Sequence, residues 1–319
     1  MAVNTWVGGD SGNETDYGTA ANWNTTGETN RVPTDADDVI IPNVSDNCVL
    51  DSDRTINSLQ IQGNGSFSMN DHDLTIAGEN TSGRALDIGN NTVTFVGGTG
   101  TLIFTQGSGS TKLVGTQHIV ASTELRNVQF NGAATFVMNG AMTVNGNLTI
   151  TAGTLDTDSS NNYALTVAGA LANDGTLTLN GSTVNLGSTS AEAGDVTGAG
   201  TFNLDTSTIN FHTAGGANFI PSTSANFDTN TSTLNLIGLN GSNRAHNFTF
   251  ASGNMHNITT SRGAGTDTHT DTLNGNCTIT GNLTVGANSN FSTGTRVFTV
   301  NGDVDVTGQL ISNGSDKPM

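Results

Sequence analysis

The sequence predicts an all-β fold, a right-handed parallel β-helix (solenoid) with coils of about 25 residues. Three observations predict it: a motif that recurs at a fixed interval, apolar residues that alternate within short segments, and glycine or asparagine–glycine corners between those segments.

The motif is Ser182-Thr-Val-Asn-Leu186, which returns as Ser207-Thr-Ile-Asn-Phe211 and as Ser232-Thr-Leu-Asn-Leu236, 25 residues apart both times. A companion segment precedes each copy: Thr176-Leu-Thr-Leu179, Thr201-Phe-Asn-Leu204 and the weaker Asn226-Phe-Asp228. A longer self-match joins Thr143-Val-Asn-Gly-Asn-Leu-Thr-Ile150 to Thr278-Ile-Thr-Gly-Asn-Leu-Thr-Val285. Fixed periods of this size mark stacked arrays, in which each unit buries its apolar face against its neighbours.

Within a unit the pattern is β. Val184/Leu186, Leu148/Ile150 and Leu283/Val285 alternate with Thr and Asn, which puts apolar side chains on one face of a strand. Thr and Val suit a pleated surface because they branch at Cβ. No long stretch carries apolar residues at the helical period. Corners call for positive φ, which Gly and Asn adopt cheaply, and nine Asn-Gly pairs occur. Asn-Gly between alternating segments is also a strong hairpin signal, so an antiparallel β-sandwich array is the alternative. The constant interval favours the solenoid.

Three regions follow. Residues 1–47 hold Trp6, Tyr17 and Trp23, both tryptophans and one of two tyrosines, and form an N-terminal cap or docking segment, since the open end of an array needs covering. Residues 48–312 form the coils. Residues 313–319 form a polar C-terminal tail. The tract Ala214-Gly-Gly-Ala-Asn-Phe-Ile-Pro221 interrupts the repeat and is expected to loop out of one coil.

Composition sets limits on partners. The 319 residues include 9 basic and 27 acidic side chains, a net charge of −18. Such a surface repels phosphate backbones and anionic bilayers, so neither nucleic acid nor membrane is an expected partner. Cys48 and Cys277 are expected to be buried, inert thiols.

The opening Trp6-Val-Gly-Gly9, with Ala21-Asn-Trp23, Val32-Pro33 and Asp37-Asp-Val-Ile-Ile-Pro42, resembles the start of large β-solenoid proteins of bacterial surfaces and tailed-phage virions. The Gly-Asn-Leu-Thr-Ile and Gly-Thr-Leu-Thr-Leu coils resemble filamentous-haemagglutinin and autotransporter-passenger repeats. No basic and apolar leader opens the sequence, and no amphipathic barrel segment follows the coils. The resemblance therefore implies a structural virion protein of a tailed phage, either a tail fibre, tailspike or capsid-decorating fibre. It would be a rigid adhesive rod, assembled in the host cytoplasm and carried in the virion. The implied partners are other virion proteins, a host surface glycan or receptor, and further copies of the chain in a trimer. A bacterial cell-surface adhesin fragment is one alternative reading and a glycan-degrading tailspike another.

Chemistry is sparse. Glycosidases need two positioned carboxylates, and the candidate groups Asp35/Asp37/Asp38 and Asp71/Asp73 sit where turns are expected. Lyase chemistry calls for basic residues, and Lys112 and Lys317 are the only lysines. No catalytic residue, enzymatic activity or cofactor is expected. For a metal, Asp267-Thr-His269-Thr-Asp271 is the candidate. Positions i, i+2 and i+4 of a strand share a face, so Asp267, His269 and Asp271 could hold a cation, across a trimer axis for instance. The competing reading makes this row a polar outer face with the threonines turned inward.

Overall fold

The structure is a computed structural model. It describes residues 2–9, 11–44, 46–88, 94–96, 98–114, 125–188, 193–213, 218–221, 226–228, 230–239, 245–249, 254–262 and 268–312. The chain is a β-solenoid with about 24 residues per turn and almost no helix. It divides into two compact units, Met1–Asp158 and Ser159–Met319.

In the first unit, Asp38–Ile41, Ser58–Ile61, Arg84–Ile88, Ser110–Val114, Thr135–Asn139 and Thr154–Asp156 stack as parallel strands on one face. A second face stacks Cys48–Val49, Ser66–Ser68 and Thr94–Val96. A third stacks Arg54–Ile56, Leu74–Ile76, Thr101–Phe104, Asn127–Phe130 and Leu148–Ile150. Like side chains meet from coil to coil inside this tube. Phe104 and Phe130 stack at 5.0 Å, and Phe136 lies 4.9 Å from Phe130.

In the second unit the three copies of the serine motif are consecutive rungs. Thr183, Thr208 and Thr233 pair in one column and Asn185, Asn210 and Asn235 in another. The 25-residue interval is therefore the rung spacing. Asn210 Nδ2 donates to Asn185 Oδ1 and Asn235 Nδ2 to Asn210 Oδ1, each at 2.9 Å. An amide at this position gives and receives one bond per coil, and this is why the sequence repeats it. Ser182, Ser207 and Ser232 are buried beside it.

Among the described strands one pair is antiparallel, Val3–Trp6 with Trp23–Thr25, so the sandwich alternative does not hold. The Asn-Gly pairs misled for a steric reason. At Gly132 an added Cβ would lie 2.1 Å from the Gln106 carbonyl oxygen of the preceding coil. The glycine answers a close approach between coils rather than a hairpin turn. Elsewhere corners take positive φ as expected, on asparagines such as Asn180, at 51°, and on glycines such as Gly153, at 71°.

The structure bears on two of the expected regions. Asp38–Ile41 already pairs with Ser58–Ile61 as a regular rung, so the first coil begins inside residues 1–47. In the interrupting tract, residues 214–217 lie outside the described residues. Phe219 does not loop out: it is 3% exposed and bridges Val196 and Phe248 as a rung of its own, because its ring packs 5.9 Å from Phe211. The tail, 313–319, lies outside the described residues. In the last described coil Val304 and Val306 are 49% and 40% exposed, whereas Leu283 and Val285 in the rung before are fully buried.

Candidate functional site

Trp6, Tyr17 and Trp23 come together in the first unit. Val3–Trp6 pairs with the first rung, Trp23–Thr25 forms the outermost strand, and Asp16 bridges Val49. All three rings are fully buried. Trp23 meets Trp6 edge-on at 5.0 Å and Tyr17 at 4.8 Å. Trp6 Nε1 donates to the Asp46 carbonyl at 3.0 Å and Trp23 Nε1 to the Tyr17 carbonyl at 2.8 Å. The rings thus face inward, and any partner of this segment would meet its outer surface. Burial, then the neighbouring Cys48, pushes the Tyr17 phenol well above its usual range. The Arg54 guanidinium lies 5.2 Å from its ring centre, a cation–π distance.

The acidic candidates hold loops and coils together. Buried Asp37 is clamped by Arg31, with Nη2 donating at 2.8 Å and Nη1 to the other oxygen. The Thr34 amide and hydroxyl donate to it at 2.8 Å each. Burial alone would raise its carboxyl, but the Arg31 and Thr34 bonds outweigh that and bring it to about 2. A carboxyl lowered in the folded state stabilises at pH above its ordinary value of 3.8 and loses that contribution as pH falls toward 2. Melting temperature followed through that window should fall more steeply for the natural chain than for Asp37→Asn. Equal slopes would show that the clamp contributes nothing to stability.

Asp35 is exposed. Asp38 Oδ1 accepts from Asn57 Nδ2 and Ser58 Oγ, both at 2.7 Å. Asp71 accepts from the Thr99 amide at 2.7 Å, which lowers its carboxyl, and Asp73 accepts from the Thr101 amide at 2.8 Å. The pattern recurs: the Asp53 side chain receives the Asp73 amide, Asn127 that of Asn147, Asp174 that of Ala199 and Asn257 that of Asn282. Corner Asp and Asn side chains accept the backbone N–H of the next coil, satisfying donors that the strands leave open. This gives the corner acids a structural role.

Of the candidate metal row, Asp267 lies outside the described residues. His269 and Asp271 do share a face, but that face is the interior: they are 1% and 0% exposed, with Thr270 and Thr272 turned outward. His269 Nε2 lies 2.9 Å from Asp271 Oδ1. The reading with the threonines inward is thus reversed, and a pair inside the coil does not face a trimer axis. Gly238 makes the space, since a Cβ there would come within 2.5 Å of the His269 ring. Among the described residues no group of three or more His, Cys, Asp or Glu side chains is placed to hold a metal. Cys48 and Cys277 are buried free thiols; burial raises Cys48 well above its usual value and Cys277 to about 12, so neither is a ready nucleophile.

Sequence reasoning missed a pocket of about 190 Å³ on the outer face of the first coils, lined by Asp38, Ile40, Ser58, Gln60, Arg84 and Asp87, with Val3 and residues 80–82 at its rim. Asp87 Oδ2 accepts from Arg84 Nη1 at 2.6 Å and from Gln60 Nε2 at 3.0 Å. The segment before Arg84 folds over the sheet, with the Asn80 side chain accepting the Ser82 and Arg84 amides. No short motif marks this site, because its members come from three successive coils. Compared with known proteins, the chain matches no family model, no curated protein and no solved structure, so the resemblance of its opening and its coils rests on those residues alone.

Proposed function

We propose that the chain is a structural, adhesive solenoid of a tailed-phage virion: a tail fibre, tailspike or capsid-decorating fibre, with residues 1–47 toward its docking partner. One observation carries this reading. Backbone strands, the Asn185–Asn210–Asn235 ladder and the corner acids all bond coil to coil, so the polar groups act as scaffold while outward threonines and asparagines form regular rows. Such a body is stiff and offers extended surface for adhesion. Immunogold labelling of purified particles and of cell envelopes from the source tests it. Label on particles supports the virion reading. Label confined to envelopes replaces it with the bacterial adhesin that the haemagglutinin-like coils also favour. Release of reducing ends from host polysaccharide would instead favour a glycan-degrading tailspike.

Self-association is part of the proposal. A fibre of this kind is expected to be a trimer of chains bundled side by side through outward rows of threonine and asparagine. Light scattering should give the mass of three chains. Because each copy carries −18, added salt should tighten the trimer. A monomer would remove self-association and favour a singly attached decoration protein or an adhesin fragment.

A further inference from the structure

We infer that the outward face of the second unit, built on the repeated serine motif, binds crystalline ice, an inference that goes beyond the virion reading and does not depend on it. Two ranks run side by side on this face. Thr183, Thr208, Thr233 and Asn257 align in one, and Thr166, Asn185, Asn210, Asn235, Thr259 and Thr284 in the other. They alternate with buried Val184, Leu186, Ile209, Phe211, Leu234 and Leu236, so both ranks point away from the core. None of these outward positions carries a charge or an aromatic ring, in a chain of net charge −18. The array is also held still. Asn210 donates to Asn185, Asn235 to Asn210 and Asn257 to the Thr233 hydroxyl. Each ladder amide keeps a further N–H and lone pair for a ligand.

The spacing narrows the class of ligand. Stacked strands repeat at about 4.8 Å and alternate residues along a strand at about 6.7 Å, each within about a tenth of an oxygen repeat in hexagonal ice. A small ligand needs one site. Hydroxyls and amides registered in two directions over several coils fit a partner that itself repeats in two directions. A crystalline polysaccharide would stack its rings on outward aromatics, and a mineral surface would call for charge; this face has neither. Threonine hydroxyls and asparagine amides both donate and accept, as lattice water does. Their fixed positions spare much of the ordering cost of binding. The array also has limits. His212, Ile237 and Ser261 form the next column and share no chemistry. A trough of about 480 Å³ there is lined by Asn185, Asn210, His212 and Ile237, and Asp305 ends the second rank.

Nanolitre osmometry on the full chain, with recovery of protein from a slowly grown ice front, tests the inference. A gap between melting and freezing points is expected, together with enrichment of the chain in the ice. Thr208→Tyr, in the middle of the first rank, should lose both while circular dichroism stays unchanged. Thr183→Lys, at an exposed position of the same rank, should do the same and covers the case in which Thr208→Tyr fails to fold. Thr149→Tyr, outward on a strand of the first unit, should keep the full gap. Neither gap nor enrichment for the natural chain overturns the inference, as does a gap that survives both variants. If the natural chain lacks ice activity and its trimer is lost in Thr208→Tyr, the face is a contact between copies instead. Particle labelling and ice binding succeed or fail separately, so loss of one reading leaves the other standing.

Discussion

Replacing Trp23 with alanine is expected to cost about 3–5 kcal/mol, the range for a large aromatic removed from a packed interior. The indole is fully buried, edge-on to both Trp6 and Tyr17, and its N–H is satisfied by the Tyr17 carbonyl. Truncation leaves a cavity between two rings, strands that carbonyl and loosens the outermost strand. In a stacked array stability is close to a sum of coil terms and nearest-neighbour terms, so the loss should be local. Hydrogen exchange should quicken in Val3–Trp6 and Asp38–Ile41 and stay unchanged in Leu283–Val285, with urea unfolding of the first unit shifted to lower concentration. A loss below 1 kcal/mol, or exchange raised equally in both units, would show that the three rings do not hold this end together. Val7→Ala, at a residue 42% exposed in the same segment, serves as the control and should change little.

The fold was legible because a solenoid writes its rung spacing into the chain. Ser182, Ser207 and Ser232 recur at the interval at which the backbone returns beside itself, and the Asn185 column must repeat because each amide bonds the next. Corners were legible as corners, and so was their positive φ, but not the close approach between coils. Asn131-Gly132 reads as a hairpin turn from the local sequence, and the carbonyl of Gln106 that forbids a side chain at Gly132 belongs to another coil. The aromatics of the opening segment were legible as a group, though not their inward orientation, which depends on the first rung starting at Asp38. Sites fared worse for the same reason. Asp38, Ser58, Gln60 and Asp87 are brought together by coil stacking, and nothing in the residues around each one announces the others. In the His269 row alternation put His269 and Asp271 on one face. Which face was inward depended on Gly238, a glycine in an earlier rung.

That buried pair supports the second large effect. Asp271→Ala should destabilise the chain by about 3 kcal/mol or more, because it removes the carboxylate that lies 2.9 Å from a buried imidazole and leaves a cavity beside it. The double variant His269→Leu with Asp271→Leu should recover much of that loss, since a well-packed apolar pair often matches or exceeds a buried polar one. The cycle of single and double variants, read by urea unfolding, isolates the coupling between the two side chains. Metal provides the counter-test. If the pair only fills the space left by Gly238, adding zinc or calcium leaves the melting temperature of the natural chain unchanged. A rise in melting temperature that His269→Leu abolishes would mean that a cation binds there and stabilises the folded chain by mass action. Asp267, two residues before His269, would then be the third ligand to test by substitution.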